Sequence, residues 1–160
     1  MSPAGVYVAV IGSGEADADR DARAREVGAG LAERGAVLVC GGLGGVMAAA
    51  ARGAQEAGGT TVGLLPGPDR DGANPHLTVA LPTGMGELRN GLIVRAADTV
   101  IAFGGEYGTL SEIGFALRLG RPVVGLDTWE LSQAGRPWEA IVVVRSPAEA
   151  VERALALASA

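Results

Sequence analysis

Short, mainly apolar runs recur along the sequence, and glycine directly follows three of them. They occupy residues 6–11, 36–40, 60–65, 99–103 and 122–126. A strand forms a continuous apolar run when both its faces are buried, as in a parallel sheet covered by helices on each side. The segments between the runs carry apolar residues at helical spacing, such as Ala24, Val27 and Leu31. The sequence therefore predicts an α/β, Rossmann-like three-layer fold, a mostly parallel sheet with helices on both faces, in a single domain over residues 1–160.

The same criteria predict the remaining elements. We expect further helices over residues 46–57, 88–97 and 109–119 and from residue 146 onward, and further strands over residues 77–81 and 141–144. The longest loop covers residues 66–75, and we expect a mobile surface loop there rather than a lid.

Composition excludes several classes of function. All 13 basic residues are arginine, so the chain lacks the lysine that a pyridoxal phosphate enzyme or a Walker A loop requires. The formal net charge is −5 and no basic block occurs, which argues against a nucleic-acid partner. The sequence has neither a leader-like N-terminus nor a transmembrane-length apolar stretch. We therefore expect a cytoplasmic location without membrane association.

Isolated cysteine and histidine residues predict no metal site. Cys40 is the only cysteine and ends an apolar run, which is typical of core packing rather than of a nucleophile. His76 is the only histidine and is expected to be a polar surface residue. With no cluster of His, Cys and acidic side chains, we predict no protein-bound metal and no required cofactor.

The first glycine-rich segment resembles a dinucleotide-binding turn only in part. Gly12 and Gly14 are present, but Asp17 stands where the third glycine belongs, and no acidic residue ends the second strand to bind a ribose. A tight strand-to-helix turn is the better interpretation of these glycines.

A stronger candidate site follows the run at residues 99–103. Glycines free the backbone there, and Gly108 and Thr109 fall at the predicted start of a helix. Unpaired amides and the positive end of the helix dipole at such a start bind anions. On spacing alone the better interpretation is a capping box, in which Thr109 caps the helix and Glu112 reaches back to it.

The segment containing Arg89, Asn90 and, after seven residues, Asp-Thr-Val-Ile-Ala-Phe-Gly-Gly-Glu-Tyr-Gly-Thr-Leu-Ser-Glu resembles the signature of the LONELY GUY (LOG) family and its SLOG-superfamily relatives, formerly labelled lysine decarboxylases. In that pattern an arginine precedes a strand and the motif P-G-G-x-G-T-x-x-E. The family arginine falls on Arg89 and its glutamate on Glu112. Similarity in the flanking segments extends over roughly residues 5–126.

The resemblance implies a function and a set of site residues. LOG enzymes are phosphoribohydrolases, which cleave the N-glycosidic bond of nucleoside 5′-monophosphates. Glu112 would stabilise the oxocarbenium-like transition state, and Arg89 would hold Glu112 and contact the substrate. The implied ligand- and phosphate-binding residues are Gly12, Ser13, Gly41, Gly42, Gly104, Gly105, Gly108 and Thr109.

Three departures point to a sister branch of the superfamily. The family proline is Gly104, the second motif glycine is Glu106, and the histidine and lysine that flank the family arginine are absent around Arg89. Glu106 would repel a phosphate unless it points away. These features are similar to the branch that includes the algal molybdenum cofactor carrier protein, whose ligand is a pterin with a phosphate and a metal dithiolene. We therefore expect binding of a phosphorylated, nucleotide-like small molecule, either a nucleotide or molybdenum cofactor, with LOG-type hydrolysis as the alternative.

The resemblance also implies a homo-oligomer, a dimer or tetramer, because related proteins associate through helices that flank the site. Trp129 and Trp138 lie in a polar late segment. They could cover the ligand crevice, but we expect them at an oligomer interface because of their rigid apolar area.

Overall fold

The computed structural model describes residues 5–15 and 17–160. Five α-helices are present in this part of the chain: α1 Ala18–Glu33, α2 Val46–Glu56, α3 Asn90–Arg95, α4 Tyr107–Arg118 and α5 Pro147–Ala158. A 3₁₀ turn, Gly86–Arg89, leads into α3. The strands are β1 Tyr7–Gly12, β2 Val37–Cys40, β3 Thr61–Leu65, β4 Val79–Pro82, β5 Thr99–Gly104, β6 Val123–Thr128, β7 Leu131–Gln133, β8 Arg136–Trp138 and β9 Ile141–Val144.

Seven strands form one parallel sheet in the order β4-β3-β2-β1-β5-β6-β9. The predicted Rossmann-like α/β fold is therefore confirmed. The two other strands, β7 and β8, pair with each other as an antiparallel hairpin. The strand order reverses between β1 and β5, and in open sheets of this kind such a reversal leaves a crevice at the carboxyl ends of the two strands.

Helices cover both faces of the sheet because successive strand residues point to opposite sides. Val8 and Val10 of β1 pack in one core cluster with α1, α2 and α5. Ala9 and Ile11 of the same strand pack in a second cluster with α3 and α4. This double burial explains the uninterrupted apolar runs in the sequence. None of the helices in the described ranges is long and apolar enough to cross a membrane.

The structure corrects two predicted helices. The segment predicted as a helix over residues 88–97 is a 3₁₀ turn followed by a six-residue α-helix. Helix α4 begins at Tyr107, two residues earlier than predicted, with Glu106 in the N-cap position. Thr109 is therefore the third helical residue, and the capping box of Thr109 with Glu112 is wrong. The early start is possible because Gly104 adopts φ +68° and turns the chain into the helix at once.

Helices α1 and α2 approach each other through two glycines. A Cβ atom on Gly28 would lie 1.9 Å from the Ala50 carbonyl oxygen, and one on Gly53 would lie 1.9 Å from the Arg25 carbonyl oxygen. Because both obstructing atoms are backbone, no side-chain rotation can make room. The two glycines therefore set the spacing of the helix pair.

We expect Gly53→Ala to lower the free energy of unfolding by about 1–3 kcal/mol, the usual cost of overpacking. Gly114→Ala is the matched control, because no described atom beyond its own stretch of helix lies within 4 Å of its Cβ position. This control is expected to gain up to about 1 kcal/mol from helix propensity. Urea titrations of both variants measure the difference. Equal effects of the two substitutions would contradict the close contact.

Candidate functional site

A hydrogen bond joins the loop after β1 to the loop after β5, at the crevice between these two strands. Gly12 and Phe103 are register partners, so Ser13 and Glu106 follow neighbouring strand ends. The buried Ser13 hydroxyl donates to Oε1 of Glu106 and accepts from the amide of Glu15 at 3.0 Å. The Glu106 side chain therefore points across the crevice towards β1.

The N-terminus of α4 faces this crevice, and the first backbone amides of the helix make no hydrogen bonds to the described residues. The first amides of a helix have no intrahelical acceptor, and within residues 5–15 and 17–160 no acceptor bonds those of Tyr107, Gly108 and Thr109. The Thr109 side chain is only 2% exposed, and its Oγ1 has no partner. Buried polar groups without partners are rare and costly. This cluster of free donors fits an anion.

Arg89 lies buried between the end of β2 and the start of α3. Its Nη2 donates to the Gly41 carbonyl oxygen at 3.2 Å, and its Nη1 donates to Oδ1 of Asn90. Its Nε is buried without a partner. Gly41 lies directly against this side chain, because a Cβ on it would lie 2.8 Å from Nη2 of Arg89.

Asn90 connects Arg89 to the first turn of α4. Its Nδ2 lies 3.9 Å from the position that a Cβ on Gly108 would take. The same nitrogen donates to Oγ of Ser111 at 3.4 Å, and that hydroxyl donates to the Gly108 carbonyl oxygen at 2.7 Å. The sequence prediction did not assign Asn90 and Ser111 to the site, although both fall inside the quoted family segment.

Glu112 is buried one turn into α4, where burial raises the pKa of its carboxyl group to about 8. The charge of Arg89 opposes this rise but does not cancel it. No ion pair within 4.0 Å joins Glu112 to any basic side chain in the described part of the chain. The resemblance implied that Arg89 holds Glu112. In the structure, Arg89 does not do so by direct contact.

The charges of Arg89 and Glu112 both affect the thiol of Cys40. Burial raises the pKa of its thiol to about 11, so the thiol stays protonated at neutral pH. A protonated thiol is a poor nucleophile and a poor metal ligand. The structured residues 5–15 and 17–160 also contain no group of three His, Cys, Asp or Glu side chains that could hold a metal ion.

The backbone conformation at Gly104 excludes the proline that the family has at this position. Its φ of +68° is closed to proline, whose ring fixes φ near about −65°. A Cβ at this position would lie 3.1 Å from Nε of Arg20, and the Gly104 carbonyl oxygen accepts a 2.6 Å hydrogen bond from the Thr128 hydroxyl. Arg20, which the sequence prediction missed, thus lies directly over the loop.

The other predicted glycines lie at strand ends around the crevice. A Cβ on Gly12 would lie 2.8 Å from the Phe103 carbonyl oxygen, so Gly12 permits the close approach of the two loops. Gly42 adopts φ +77° and faces Leu65 on the β3 side, farther from the crevice. Gly105 is exposed beside the indole of Trp129.

Comparison with known proteins assigns this arrangement to a family. The model of the SLOG cluster4 family matches residues 5–151, and the chain belongs to that family. An uncharacterized protein of Archaeoglobus fulgidus is 41% identical over 146 residues, which cover 91% of this chain and 92% of that protein.

Two solved structures are similar over nearly the whole chain. The molybdenum cofactor binding protein of the phototrophic bacterium Rippkaea orientalis superposes with a TM-score of 0.89 at 32% identity, covering 98% of this chain and 99% of that one. The molybdenum cofactor carrier protein of Chlamydomonas reinhardtii gives a TM-score of 0.85 at 30% identity, covering 97% and 99%.

The raised pKa of Glu112 predicts how stability depends on pH. Above the ordinary glutamate pKa of 4.5 the unfolded chain releases this proton, whereas the folded protein holds it up to about pH 8. The folded state binds more protons in this window, so Glu112 makes the free energy of unfolding fall as pH rises from about 4.5 to 8. We expect this fall to reach several kcal/mol relative to Glu112→Gln, measured by urea titrations of both proteins across the window. A difference that is independent of pH would contradict the burial of an ionisable Glu112.

Proposed function

We propose that the protein binds a phosphorylated, nucleotide-like small molecule in the crevice between β1 and β5, with the phosphate at the N-terminus of α4. The observation that carries this proposal is the buried, unpartnered hydroxyl of Thr109 beside the three free amides. A phosphate oxygen would satisfy this hydroxyl and the amides together. Gly108 has no side chain to obstruct it.

The position of Glu106 supports the proposal. Its carboxyl group accepts a hydrogen bond from Ser13 on the β1 side and makes no capping bond to the α4 amides. A carboxylate over those amides would occupy the anion position itself. With Glu106 turned towards Ser13, the amides remain free for a ligand.

Molybdenum cofactor is the cargo that we favour. The two similar solved proteins are described as binding or carrying this cofactor, and its pterin part carries a phosphate. The donors around Thr109 suit that phosphate. The dithiolene of the cofactor would hold the metal, so the protein would need no metal ligands of its own.

LOG-type hydrolysis of nucleoside 5′-monophosphates is the second candidate, because Arg89 and Glu112 occupy the family positions beside the crevice. The protonation of Glu112 weighs against it. At a pKa of about 8 the carboxyl group is mostly neutral at pH 7, and a neutral acid stabilises an oxocarbenium-like transition state far less than a carboxylate does. We therefore rank binding above catalysis.

Binding of ribose 5-phosphate by calorimetry tests the phosphate site. We expect Thr109→Val to weaken binding about tenfold, the typical loss for one hydrogen bond to a charged group. Its folding stability should stay equal or rise, because the variant removes an unsatisfied buried hydroxyl. Thr60→Val, on an exposed threonine at the opposite end of the sheet, is the control. Unchanged affinity in Thr109→Val would refute the assignment.

Incubation with a panel of nucleoside 5′-monophosphates separates the two functions. We expect bound nucleotide and no released base by chromatography. Release that Glu112→Ala abolishes would instead establish the hydrolase.

A homo-oligomer is the last part of this proposal. Leu88 is 75% exposed and Phe115 is 43% exposed, and both lie on the elements that flank the site. Burial of such side chains favours association of copies, and light scattering of the purified protein gives the number of subunits.

A further inference from the structure

An open surface pocket lies on the β6 side of the loop that carries Gly104 and Gly105. Its volume is about 450 Å³, and the backbone of these two glycines, Arg20 and residues 127–130 line it. Ligand cavities in proteins commonly measure about 300–1,000 Å³, so this one can hold a fused bicyclic ring. We call it the ring cavity.

An aromatic pair stands at the edge of the ring cavity. The rings of Tyr107 and Trp129 stack with centroids 6.2 Å apart and planes inclined by 28°. The indole N–H of Trp129 donates to the Glu106 carbonyl oxygen at 3.3 Å, which fixes the pair to the loop before α4. Tyr107 is 83% exposed. An exposed tyrosine on a fixed indole offers a flat apolar face at little entropic cost.

Arg20 provides an unpaired cation in the lining of the ring cavity. Its guanidinium lies over Gly104, and no carboxylate of the described residues lies within 4.0 Å of it. Asp127 is instead paired with Arg23 and is held at φ +52°, a conformation that is costly outside glycine and is concentrated at functional sites.

The charges in the ring cavity disfavour a second phosphate. Asp127 and Glu130 share its lining with Arg20, and carboxylates repel an anion. A neutral heterocycle suits the same groups, because Arg20 donates to ring oxygen or nitrogen acceptors and carboxylates accept from ring N–H and amino groups. Trp129 and Tyr107 supply the stacking surface.

We propose that the ring cavity binds the fused heterocycle, a purine or a pterin, of the ligand whose phosphate lies at the N-terminus of α4. This inference rests on the proposed phosphate site and extends it to the recognition of the ring. Along the chain, Glu106 lies between Gly105, which lines the ring cavity, and Gly108 at the proposed phosphate site. Tyr107 and Trp129 stack on the ring, and Arg20 selects for ring acceptors.

Three probes test the two subsites separately: ribose 5-phosphate, guanosine, and guanosine 5′-monophosphate. Guanine is the ring of choice because its pyrimidine half has the amino and oxo groups of a pterin. Calorimetry with Tyr107→Ala should show about tenfold weaker binding of the nucleotide, within the usual range for loss of one base–aromatic stack. Its affinity for ribose 5-phosphate should change less than about twofold, because the α4 amides are unchanged. Trp138→Leu, which removes an exposed tryptophan outside the ring cavity, should bind all three probes as the parent does.

Tryptophan fluorescence locates the ring. Trp138→Phe leaves Trp129 as the only tryptophan, and guanosine 5′-monophosphate should quench it whereas ribose 5-phosphate should not. The ring cavity is refuted if Tyr107→Ala weakens nucleotide and ribose 5-phosphate binding equally or leaves both unchanged, or if the nucleotide does not quench Trp129. Quenching by guanosine without any binding of ribose 5-phosphate would uphold the ring cavity and overturn the phosphate site. Far-UV circular dichroism checks that each variant is folded.

Discussion

The parallel pairing of β1 with β5 is the interaction on which the site depends. β1 leads into α1, which packs on one face of the sheet, whereas β5 leads into α4, which packs on the other. The two connections diverge at the strand ends, where open sheets of this kind leave a crevice. Ser13 and Glu106 meet across it, and the donors of α4 face it. A shift in the register of this strand pair would separate all of these groups.

Within that frame, the loop after β5 determines which groups face the crevice. Two of the differences from the LOG pattern, Gly104 and Glu106, prove to be connected. The left-handed Gly104 makes room for Arg20 and starts α4 early, and the early start places Glu106 at the N-cap with its side chain free to reach Ser13. The carboxylate that seemed incompatible with a phosphate is thus part of the loop structure that keeps the α4 amides free.

The sequence predicted the parallel sheet well because the sheet follows from local patterns. Continuous apolar runs and glycines at strand ends are enough to place a parallel sheet and its carboxyl edge. The start of α4 was wrong because Glu106 caps the helix without a side-chain bond, so no capping signal precedes Tyr107. The contacts that define the site could not be predicted from the sequence, for a different reason. Ser13 with Glu106 and Tyr107 with Trp129 join residues that are far apart in the sequence, and Arg20 belongs to a helix that carries no family motif.

The charges of the buried groups beneath α4 bear on the proposed ligand site. Arg89 is buried, and Glu112, whose charge acts on Arg89, has a pKa of about 8 and is mostly neutral at pH 7. An arginine remains protonated even where burial lowers its pKa, so the interior next to the crevice carries a positive charge without a close counterion. Such a charge is costly to bury, and an anion at the adjacent helix N-terminus offsets that cost. The proposed phosphate would thus lie near one buried arginine, a glutamic acid that is mostly neutral and a row of unpaired amides, in a chain with a net charge of −5.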